Sequence, residues 1–584
     1  MIPQDILIIG AGPCGLAVAA RLKEHTPSAI FTDEEHQRYH WINKHRGKMN
    51  LVRSHRGKIG ALGVGNNNGV GRNKLSTSES STLDESSDTT SSSIISTSST
   101  STSESNPGPS MLVLDSTGKE WLSRWHNAFR TLEITQLRSP MFFHIDPSDR
   151  DGMLAYTTET GREGDLWEIS GCVGKEVSKY KRKKALAQTS KSTMKMKMKT
   201  KADKNKGVIG DTEIDERDRK DYFSPGTGLF RDFCERVVAR YGLSGEGLVQ
   251  AGEVVDIVYD YFDDIDDEKK TFKVSMKDGD VVYARAVVMA IGPGGRKIVP
   301  EPFSVPFSGN EAQGACHSSE IRGFPGMNVK KRIAERKETN VVVVGGGLSS
   351  AQIVDMAIRK GVKKVWFLMR SDFKVKHFDI TLSWMGKFKN YEKAVFWSAD
   401  TDEERMEMIK TARGGGSITP RYQKILREHT ARRRVSIHTR TVITGKEYDS
   451  VSKTWRLTTD PPIPDLPEID YIYFATGMAM NVEELPMLKN MHREYPIETI
   501  QGLPCLTDDL MWKAEVPLFL TGRLAGLRLG PGAANLEGAR LGAERIAWAM
   551  EEVMGKKAFG MEVDKSTECF CGLGNRFAGL DTFD

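Results

Sequence analysis

The sequence predicts an α/β fold with two Rossmann-like dinucleotide-binding domains, the second inserted into the first. Two runs predict the domains: DILIIGAGPCGLAVAARL begins at Asp5, and TNVVVVGGGLSS begins at Thr339. Each is typical of a buried strand, a tight glycine turn and the start of a helix. The insertion is predicted by two similar strand-and-turn patterns that flank the second run, ARAVVMAIGPGG at 284–295 and DYIYFATGMAM at 470–480.

The first run has the features of neither a secretory signal nor a membrane span. Asp5 is its only charge before Arg21, and three glycines and a proline interrupt its apolar residues. It is also shorter than the roughly 20 residues that cross a bilayer. We expect a strand at Ile6–Ile9 and a helix over Leu16–Leu22.

The turn GAGPCG matches the GxGxxG pattern of nucleotide-binding proteins. Gly10 allows the tight turn, Gly12 lets a pyrophosphate approach the backbone, and Gly15 lets the helix pack closely on the strand. Pro13 and Cys14 complete the turn. The run therefore predicts a dinucleotide site.

An acidic residue is expected at the end of the second strand of such a domain, about 20 residues further on. The stretch SAIFTDEE reads as that strand. Asp33 and Glu34 are therefore predicted to accept a hydrogen bond from a ribose.

The second turn, GGGLSS, is followed by a predicted helix to about Arg359 and by a strand, VWFLM, that ends at Arg370. An acid at that place would accept from the 2′-hydroxyl of NAD, whereas an arginine offers a cation to the 2′-phosphate of NADP. We therefore expect NADPH here. Lys374 or Lys376 could share the role, and a solvated strand end is the alternative for Arg370. The predicted contacts are Gly345, Gly347, Leu348, Ser349, Ser350 and Arg370.

Near the C-terminus, VPLFLTGRLAGLRLGPGAANLEGARLGAERIAWAM predicts a strand to Thr521, a glycine-rich passage and a long helix. The start of that helix could direct backbone N–H groups at an electron-rich ring. Further candidate cofactor contacts lie here and in the flanking strand-and-turn patterns: Gly292, Thr476, Gly477, Gly522, Arg523, Ala534, Asn535 and Leu536.

Two low-complexity segments divide the first domain. The Ser/Thr-rich segment 66–110 and the basic segment 180–215 cannot bury enough apolar surface to offset the entropy of ordering. A regulatory phosphorylation target and a nuclear import or anion-binding patch are the alternatives. The predicted first domain comprises 1–65, 111–179, 216–338 and 465–584, and the second comprises 339–464.

Composition excludes several classes of protein. Lys and Arg exceed Asp and Glu by only 5, which does not suggest a nucleic-acid partner. The seven cysteines are mostly isolated, which favours reduced thiols in the cytoplasm, with the nucleus as an alternative. Cys569 and Cys571 read as a surface pair. His36, His40 and His45 have no further ligand at a metal-binding spacing, so no metal is predicted.

These motifs together resemble those of the two-dinucleotide-binding-domain flavoproteins, and among them the NADPH-dependent flavin monooxygenases. GAGPCG is similar to their FAD motif and GGGLSS to their NADPH motif, and FATGM is also similar. GACHSSEI at 314–321 resembles the fingerprint FxGxxxHxxx(W/Y/F). It departs from the fingerprint because Gly309 lies eight residues before His317 instead of four, and Ile321 replaces the aromatic residue.

Three further stretches are similar to fungal flavoproteins related to the oxidative stress-induced growth inhibitor family: LRSPMFFHIDPSDRDGMLAYT, ARGGGSITPRY and CGLGNRFAGLD. The ornithine and lysine N-hydroxylases are more distantly similar. The resemblance covers nearly all of the chain outside the two low-complexity segments.

The resemblance implies an FAD-containing monooxygenase that uses NADPH and O2 and transfers one oxygen atom to a small molecule through a flavin C4a-hydroperoxide. It also implies that residues 39–50, with Trp41, and residues 137–156 approach the flavin face and select the substrate. The candidates in the second segment are Phe142, Phe143, His144 and Asp146, with a packed loop as the alternative. Two other functions stay open: a flavin-binding stress-response protein with little oxygen transfer, and an NADPH oxidase that releases hydrogen peroxide.

Overall fold

The computed structural model describes residues 2–24, 27, 108–169, 171–173, 219, 221–263, 265–292, 294–303, 314–385 and 389–555. The chain divides into two units, residues 1–29 with 109–555 and residues 30–108 with 556–584. All the elements given below belong to the first unit. Several residues and segments discussed above lie outside the described residues: the segment 180–215, nearly all of 66–110, Asp33, Glu34, Trp41, His36, His40, His45, Gly309, Cys569 and Cys571.

The strands follow in chain order. They are β1 (Gln4–Ile9), β2 (Met111–Asp115), β3 (Leu166–Glu168), β4 (Phe223–Pro225), β5 (Val249–Ala251), β6 (Val254–Phe262), β7 (Asp266–Met276), β8 (Val281–Met289), β9 (Arg296–Lys297), β10 (Ala315–His317), β11 (Asn340–Val344), β12 (Lys364–Met369), β13 (Val435–Thr439), β14 (Val442–Asp449), β15 (Thr454–Asp460), β16 (Tyr471–Phe474), β17 (Met478–Ala479), β18 (Thr499–Ile500), β19 (Leu503–Pro504), β20 (Met511–Lys513) and β21 (Val516–Leu520).

The α-helices are numbered in the same way. They are α1 (Pro13–Arg21), α2 (Ser123–Thr131), α3 (Gly152–Glu159), α4 (Thr227–Arg240), α5 (Met327–Ala334), α6 (Leu348–Arg359), α7 (Lys389–Trp397), α8 (Asp402–Arg413), α9 (Pro420–Ala431), α10 (Lys489–Glu494), α11 (Gly526–Leu529) and α12 (Leu536–Met554). Within the described residues, no helix combines the length and the apolar character that a membrane crossing requires.

The first sheet is built around β1. Its strand order is β20-β21-β8-β1-β2-β5, and β7 joins β6 to β8. β1 runs parallel to β2 and to β8. Ile6, Leu7 and Ile8 are completely buried, as expected for a parallel strand that is covered on both faces.

Helices α1 and α12 pack together beside this sheet. The Arg21 guanidinium donates to Glu544 Oε2 across a distance of 2.7 Å, and both side chains are less than 10% exposed. Since the partners lie 523 residues apart in sequence, this buried ion pair joins the two ends of the domain. A buried pair of this kind is costly to break from one side.

The second sheet is entirely parallel, with the order β10-β16-β11-β12-β13. Alternate valines of β11 face opposite sides. Val341 and Val343 pack with α6, whereas Val342 packs with Trp455 of β15. The sheet therefore has a buried core on each face.

The boundaries that the sequence predicts for the second domain, 339 and 464, do not coincide with this sheet. β10 precedes the first boundary, and β16 follows the second. The predicted strand at 470–480 therefore pairs with the second sheet and not with the first. Pairing between distant parallel strands leaves no local mark on either segment, so the sequence does not indicate these partners.

Candidate functional site

The first glycine turn connects β1 to α1, which begins at Pro13 and not at the predicted Leu16. Gly10 has a φ of +115°, and a Cβ atom there would lie 2.4 Å from the Ala290 carbonyl oxygen. A Cβ atom at Gly15 would lie 1.9 Å from the Gly10 carbonyl oxygen. Only glycine fits at these two positions. Residues with a side chain rarely adopt the φ angle of Gly10, and a side chain at Gly15 would have no room.

Gly12 differs from its two neighbours in the motif, since a Cβ atom there would meet nothing within 4 Å. A cavity of about 790 Å³ opens at this position. Its lining includes Gly12, Asp115, Trp125, Glu253 and Gly292. The space lies where a GxGxxG turn receives a pyrophosphate, and its volume is in the range of small-molecule sites.

Asp115 stands at the end of β2, the strand beside β1. Its Oδ2 accepts a 2.7 Å hydrogen bond from the backbone N–H of Ala11, and its Oδ1 accepts one from the N–H of Thr117, also at 2.7 Å. Asp115 lies 104 residues after Ala11, whereas the two acids predicted for the ribose, Asp33 and Glu34, lie outside the described residues. The sequence does carry a signal, because MLVLD is an apolar strand that ends in an acid.

The second glycine turn connects β11 to α6 in the same way. A Cβ atom at Gly345, where φ is +146°, would lie 2.3 Å from the Ala475 carbonyl oxygen. A Cβ atom at Gly347 would meet nothing within 4 Å. Ser350 takes the place of the third glycine, and its hydroxyl donates to the Gly347 carbonyl at 2.6 Å. The helix from Leu348 to Arg359 agrees with the predicted one.

Arg370 directly follows β12, and it is exposed. Within the described part of the chain, no carboxylate forms an ion pair with it. The two lysines predicted to share its role are engaged elsewhere: Lys374 donates to the Gly414 carbonyl at 2.8 Å, and Lys376 donates to the Ala412 carbonyl at 3.1 Å. They bind the carbonyl end of α8, so Arg370 is the available cation at the end of β12.

The segment GGGSIT, at 414–419 between α8 and α9, lies against the second glycine turn. A Cβ atom at Gly416 would lie 3.1 Å from the carbonyl carbon of Gly346 and 3.1 Å from the nitrogen of Gly347. Arg138 stabilises the position of this segment, because its guanidinium donates a 2.8 Å hydrogen bond to the Ser417 hydroxyl. The sequence did not predict this contact, because it depends on tertiary packing alone.

Gly416→Ala is expected to weaken NADPH binding several-fold, because its methyl group would push against the second glycine turn. Gly245→Ala is the matched control, since a Cβ atom at this exposed glycine meets nothing within 4 Å. KM values for NADPH and the flavin content of both variants measure the effect. If Gly416→Ala keeps the wild-type KM, the segment does not control the geometry of the turn.

Thr476 and Gly477 lie between β16 and β17, and both form hydrogen bonds with neighbouring segments. The Thr476 hydroxyl donates to the carbonyl of Ile298. His317, of the GACHSSEI stretch, donates from Nε2 to the Gly477 carbonyl at 3.0 Å, while its Nδ1 accepts from the N–H of Ser319. Burial lowers the pKa of His317. This histidine therefore fixes the turn that follows β16.

The C-terminal candidates lie on two sides of the glycine-rich passage. A Cβ atom at Gly522 would lie 3.3 Å from the Cys14 sulfur, which places this residue against the first turn. Burial raises the pKa of Cys14 to about 11, so this thiol is not a reactive thiolate. Arg523 and Ala534 line a second cavity of about 370 Å³. Asn535 donates to Asp379 Oδ1 at 3.1 Å, and Leu536 is buried as the first residue of α12.

The candidates between 137 and 156 pack into the fold. Phe143, His144 and Asp146 are buried, and none of them lines either of the two cavities described above. His144 Nε2 lies 3.0 Å from the Arg150 carbonyl, and burial lowers the pKa of His144 to about 4. Phe142 packs edge-to-face on Phe143. Both readings of these residues, a flavin-facing role and a packed loop, stay predictions.

Thiols and metal ligands contribute no further centre in the part of the chain that is described. Among those residues, Cys14, Cys172, Cys234 and Cys505 form no disulfide bond. Among the same residues, no three His, Cys, Asp or Glu side chains are arranged to hold a metal ion.

The comparisons with known proteins agree with this architecture. Residues 238–479 match the family model for L-lysine 6-monooxygenase/L-ornithine 5-monooxygenase. No curated protein matches the sequence. The ornithine hydroxylase of Pseudomonas aeruginosa is similar in structure, with a TM-score of 0.54 and 14% identity over 95% of this chain and 100% of that one.

Two other solved structures have the same fold. An FAD-bound cadaverine monooxygenase from Erwinia amylovora has a TM-score of 0.53 and 13% identity over 96% of each chain. An ornithine N-hydroxylase from Kutzneria sp. 744, with reduced FAD, NADP+ and L-ornithine, has a TM-score of 0.54 and 14% identity over 94% of this chain and 99% of that one. At these identities the likeness establishes the fold, with its two Rossmann domains.

Proposed function

We propose that this chain is an NADPH-dependent monooxygenase that inserts one oxygen atom of O2 into a small molecule. The chain has the fold of the FAD- and NADPH-dependent flavin monooxygenases, and residues 238–479 match their lysine and ornithine branch. One observation carries the proposal. Each of the two glycine turns has a first glycine pressed against the neighbouring strand and a second glycine that opens onto free space.

The first turn and its cavity fit FAD. The open position at Gly12 admits a pyrophosphate, and the residues proposed to surround it are Gly10, Gly12, Pro13, Cys14, Gly15 and Gly292. Asp115 stands at the strand end that adjoins the ribose in Rossmann domains. Gly522, Ala534, Asn535 and Leu536 remain candidates for the flavin ring, because Gly522 lies against Cys14.

The second turn fits NADPH. The proposed contacts are Gly345, Gly347, Leu348, Ser349, Ser350 and Arg370. The open position at Gly347 and the available cation of Arg370 support this set. Thr476 and Gly477 would act by shaping the turn after β16, which His317 fixes.

Bound FAD supplies the redox chemistry, which is acceptance of a hydride from NADPH and activation of O2. The protein's part is to bind and orient the two cofactors and the substrate, and to exclude water. The buried strand before each turn and the helix after it hold the glycines in place, which suits this role.

The proposal is tested with the purified protein. NADPH is expected to bleach the visible flavin absorbance without oxygen, and air is expected to restore it. With a substrate present, peroxide release should fall below NADPH consumption. Equal amounts of peroxide and NADPH for every compound tested would favour the oxidase alternative, and a flavin that NADPH does not reduce would favour the stress-response alternative.

Asp115→Ala is expected to lower FAD affinity by about tenfold or more, because a ribose hydroxyl loses a charged acceptor. Asp5→Ala is the control, since Asp5 accepts from Ser110 at the opposite end of the same two strands. Fluorescence titration of the apoprotein with FAD measures both affinities. Equal FAD affinity in the Asp115 variant and the wild type would exclude Asp115 from the site.

We also propose a finer kinship and a location. The stretch at 137–157 supports a relationship with the fungal flavoproteins related to the oxidative stress-induced growth inhibitor family. Cys14, Cys172, Cys234 and Cys505, which form no disulfide bond, support a reducing compartment, the cytoplasm, with the nucleus as the alternative.

A further inference from the structure

We propose that Arg413 and Arg523 bind an acidic group of the organic substrate, so that the molecule oxidised by this protein is an anion. The inference rests on the monooxygenase function proposed above and names its substrate class. It is drawn from the second cavity, of about 370 Å³, which is large enough for a small metabolite.

The second cavity combines an apolar wall with cationic groups. Its apolar side chains include Met406, Ile409, Met480 and Leu503, and its charged side chains are Lys410, Arg413 and Arg523. Among the described residues that line it, none carries a carboxylate. An amine substrate would meet repulsion here, whereas a carboxylate would meet two guanidinium groups, which bind oxyanions well.

Arg523 has no counter-charge within the described part of the chain. Its hydrogen bond goes from Nη1 to the Met478 carbonyl at 3.3 Å. Loss of hydration and the positive charge of Arg413 both lower the pKa of Arg523. Two positive groups that disfavour each other's charge gain stability when an anion binds between them.

Arg413 is held so that its guanidinium stays at the cavity. Its Nη2 donates to Asp379 Oδ2 at 2.8 Å, and its Nη1 donates to the Pro531 carbonyl at 2.8 Å. The single negative charge of Asp379 does not neutralise the positive charges around it, because Arg138 and Lys376 also lie near Asp379. Burial and the charge of Arg413 lower the pKa of Arg138, to about 10, while Asp379 opposes this effect. The surroundings therefore carry a net positive charge.

The position of the cavity agrees with a substrate site. On one side it is lined by Gly415, next to the residue that touches the second glycine turn. On the other side it is lined by Arg523, next to Gly522, which lies against the first turn. A molecule bound here lies between the segments that adjoin the two proposed cofactor sites.

Phosphates of NADPH share this oxyanion chemistry, so the test must separate coenzyme from substrate. The purified, flavin-containing protein is titrated by calorimetry with dicarboxylates from malonate to adipate, and with diamines of matched length. We expect at least one acid to bind and no diamine to bind. Arg523→Gln should weaken acid binding by about tenfold or more, and Arg523→Lys should restore part of it.

Arg236→Gln is the matched control. Arg236 is an exposed, ion-paired arginine on α4, and its loss should leave acid binding unchanged. Three results would overturn the proposal: no acid binds, diamines bind as well as acids, or Arg523→Gln raises the KM for NADPH while acid binding is kept. The last result would assign the arginines to the coenzyme. Calorimetry stays informative if NADPH oxidation is absent, so failure of the proposed function is distinguished from failure of this site.

Discussion

Gly12→Asp is expected to give a folded protein that no longer binds FAD. A side chain at Gly12 meets no protein atom within 4 Å of its Cβ, so the substitution does not disturb packing. It does place bulk and a negative charge where the pyrophosphate must approach the backbone. Flavin absorbance per mole of protein after reconstitution with FAD measures the loss, and the melting temperature measures folding.

Gly15→Ala provides the opposite case. Its methyl carbon would lie 1.9 Å from the Gly10 carbonyl oxygen, so α1 would have to move away from β1. We expect this variant to be strongly destabilised, and to lose flavin only because it unfolds. The assignment of Gly12 is contradicted if Gly12→Asp retains stoichiometric FAD, or if it melts as early as Gly15→Ala.

The two glycine turns could be predicted from the sequence because every part of each motif is local. The strand before Gly10, the turn and the helix after it are contiguous, and the structure has β1 and α1 there. The same holds for β11, Gly345 and α6. Local motifs of this kind are specified by short-range sterics, which sequence patterns record directly.

Asp115 could not be assigned in the same way, because its role depends on which strand lies beside β1. The spacing rule expects a short connection between the first helix and the second strand. Here β2 begins only at Met111, beyond the Ser/Thr-rich segment. Long insertions in a loop cost little, since the entropy of closure grows with the logarithm of loop length, and so a spacing rule alone does not single out β2.

The contacts that build the second cavity were also beyond sequence reasoning. Arg413 and Arg523 belong to different elements, and Asp379 orients only the first of them. Neither arginine stands in a motif with a fixed spacing, so their proximity follows from the packing of α8 against the passage before α12. Arg523 is predicted as a cofactor contact from the sequence, whereas we propose from its place in the cavity lining that it binds the substrate.

Arg370→Ala is expected to weaken NADPH binding by about 1 to 3 kcal/mol, a loss of roughly 5- to 150-fold in affinity, and to leave NADH binding nearly unchanged. Only NADPH carries the 2′-phosphate that the guanidinium would bind. Arg370 is exposed and has no ion-pair partner among the described residues, so its removal costs the protein no internal salt bridge. KM values for the two coenzymes measure the difference.

Arg440→Ala is the matched control for this test. Arg440 is also exposed, but its Nε and Nη2 donate to the two carboxylate oxygens of Asp372, at 2.7 and 2.9 Å. We expect its loss to change the two coenzymes alike, because a paired guanidinium offers the 2′-phosphate little free charge. If Arg370→Ala raises the KM for NADH as much as for NADPH, Arg370 supports the structure of the turn and the 2′-phosphate is bound elsewhere. If only NADPH is affected, the residue at the end of β12 selects the coenzyme, as the physical difference between an acid and an arginine at that position predicts.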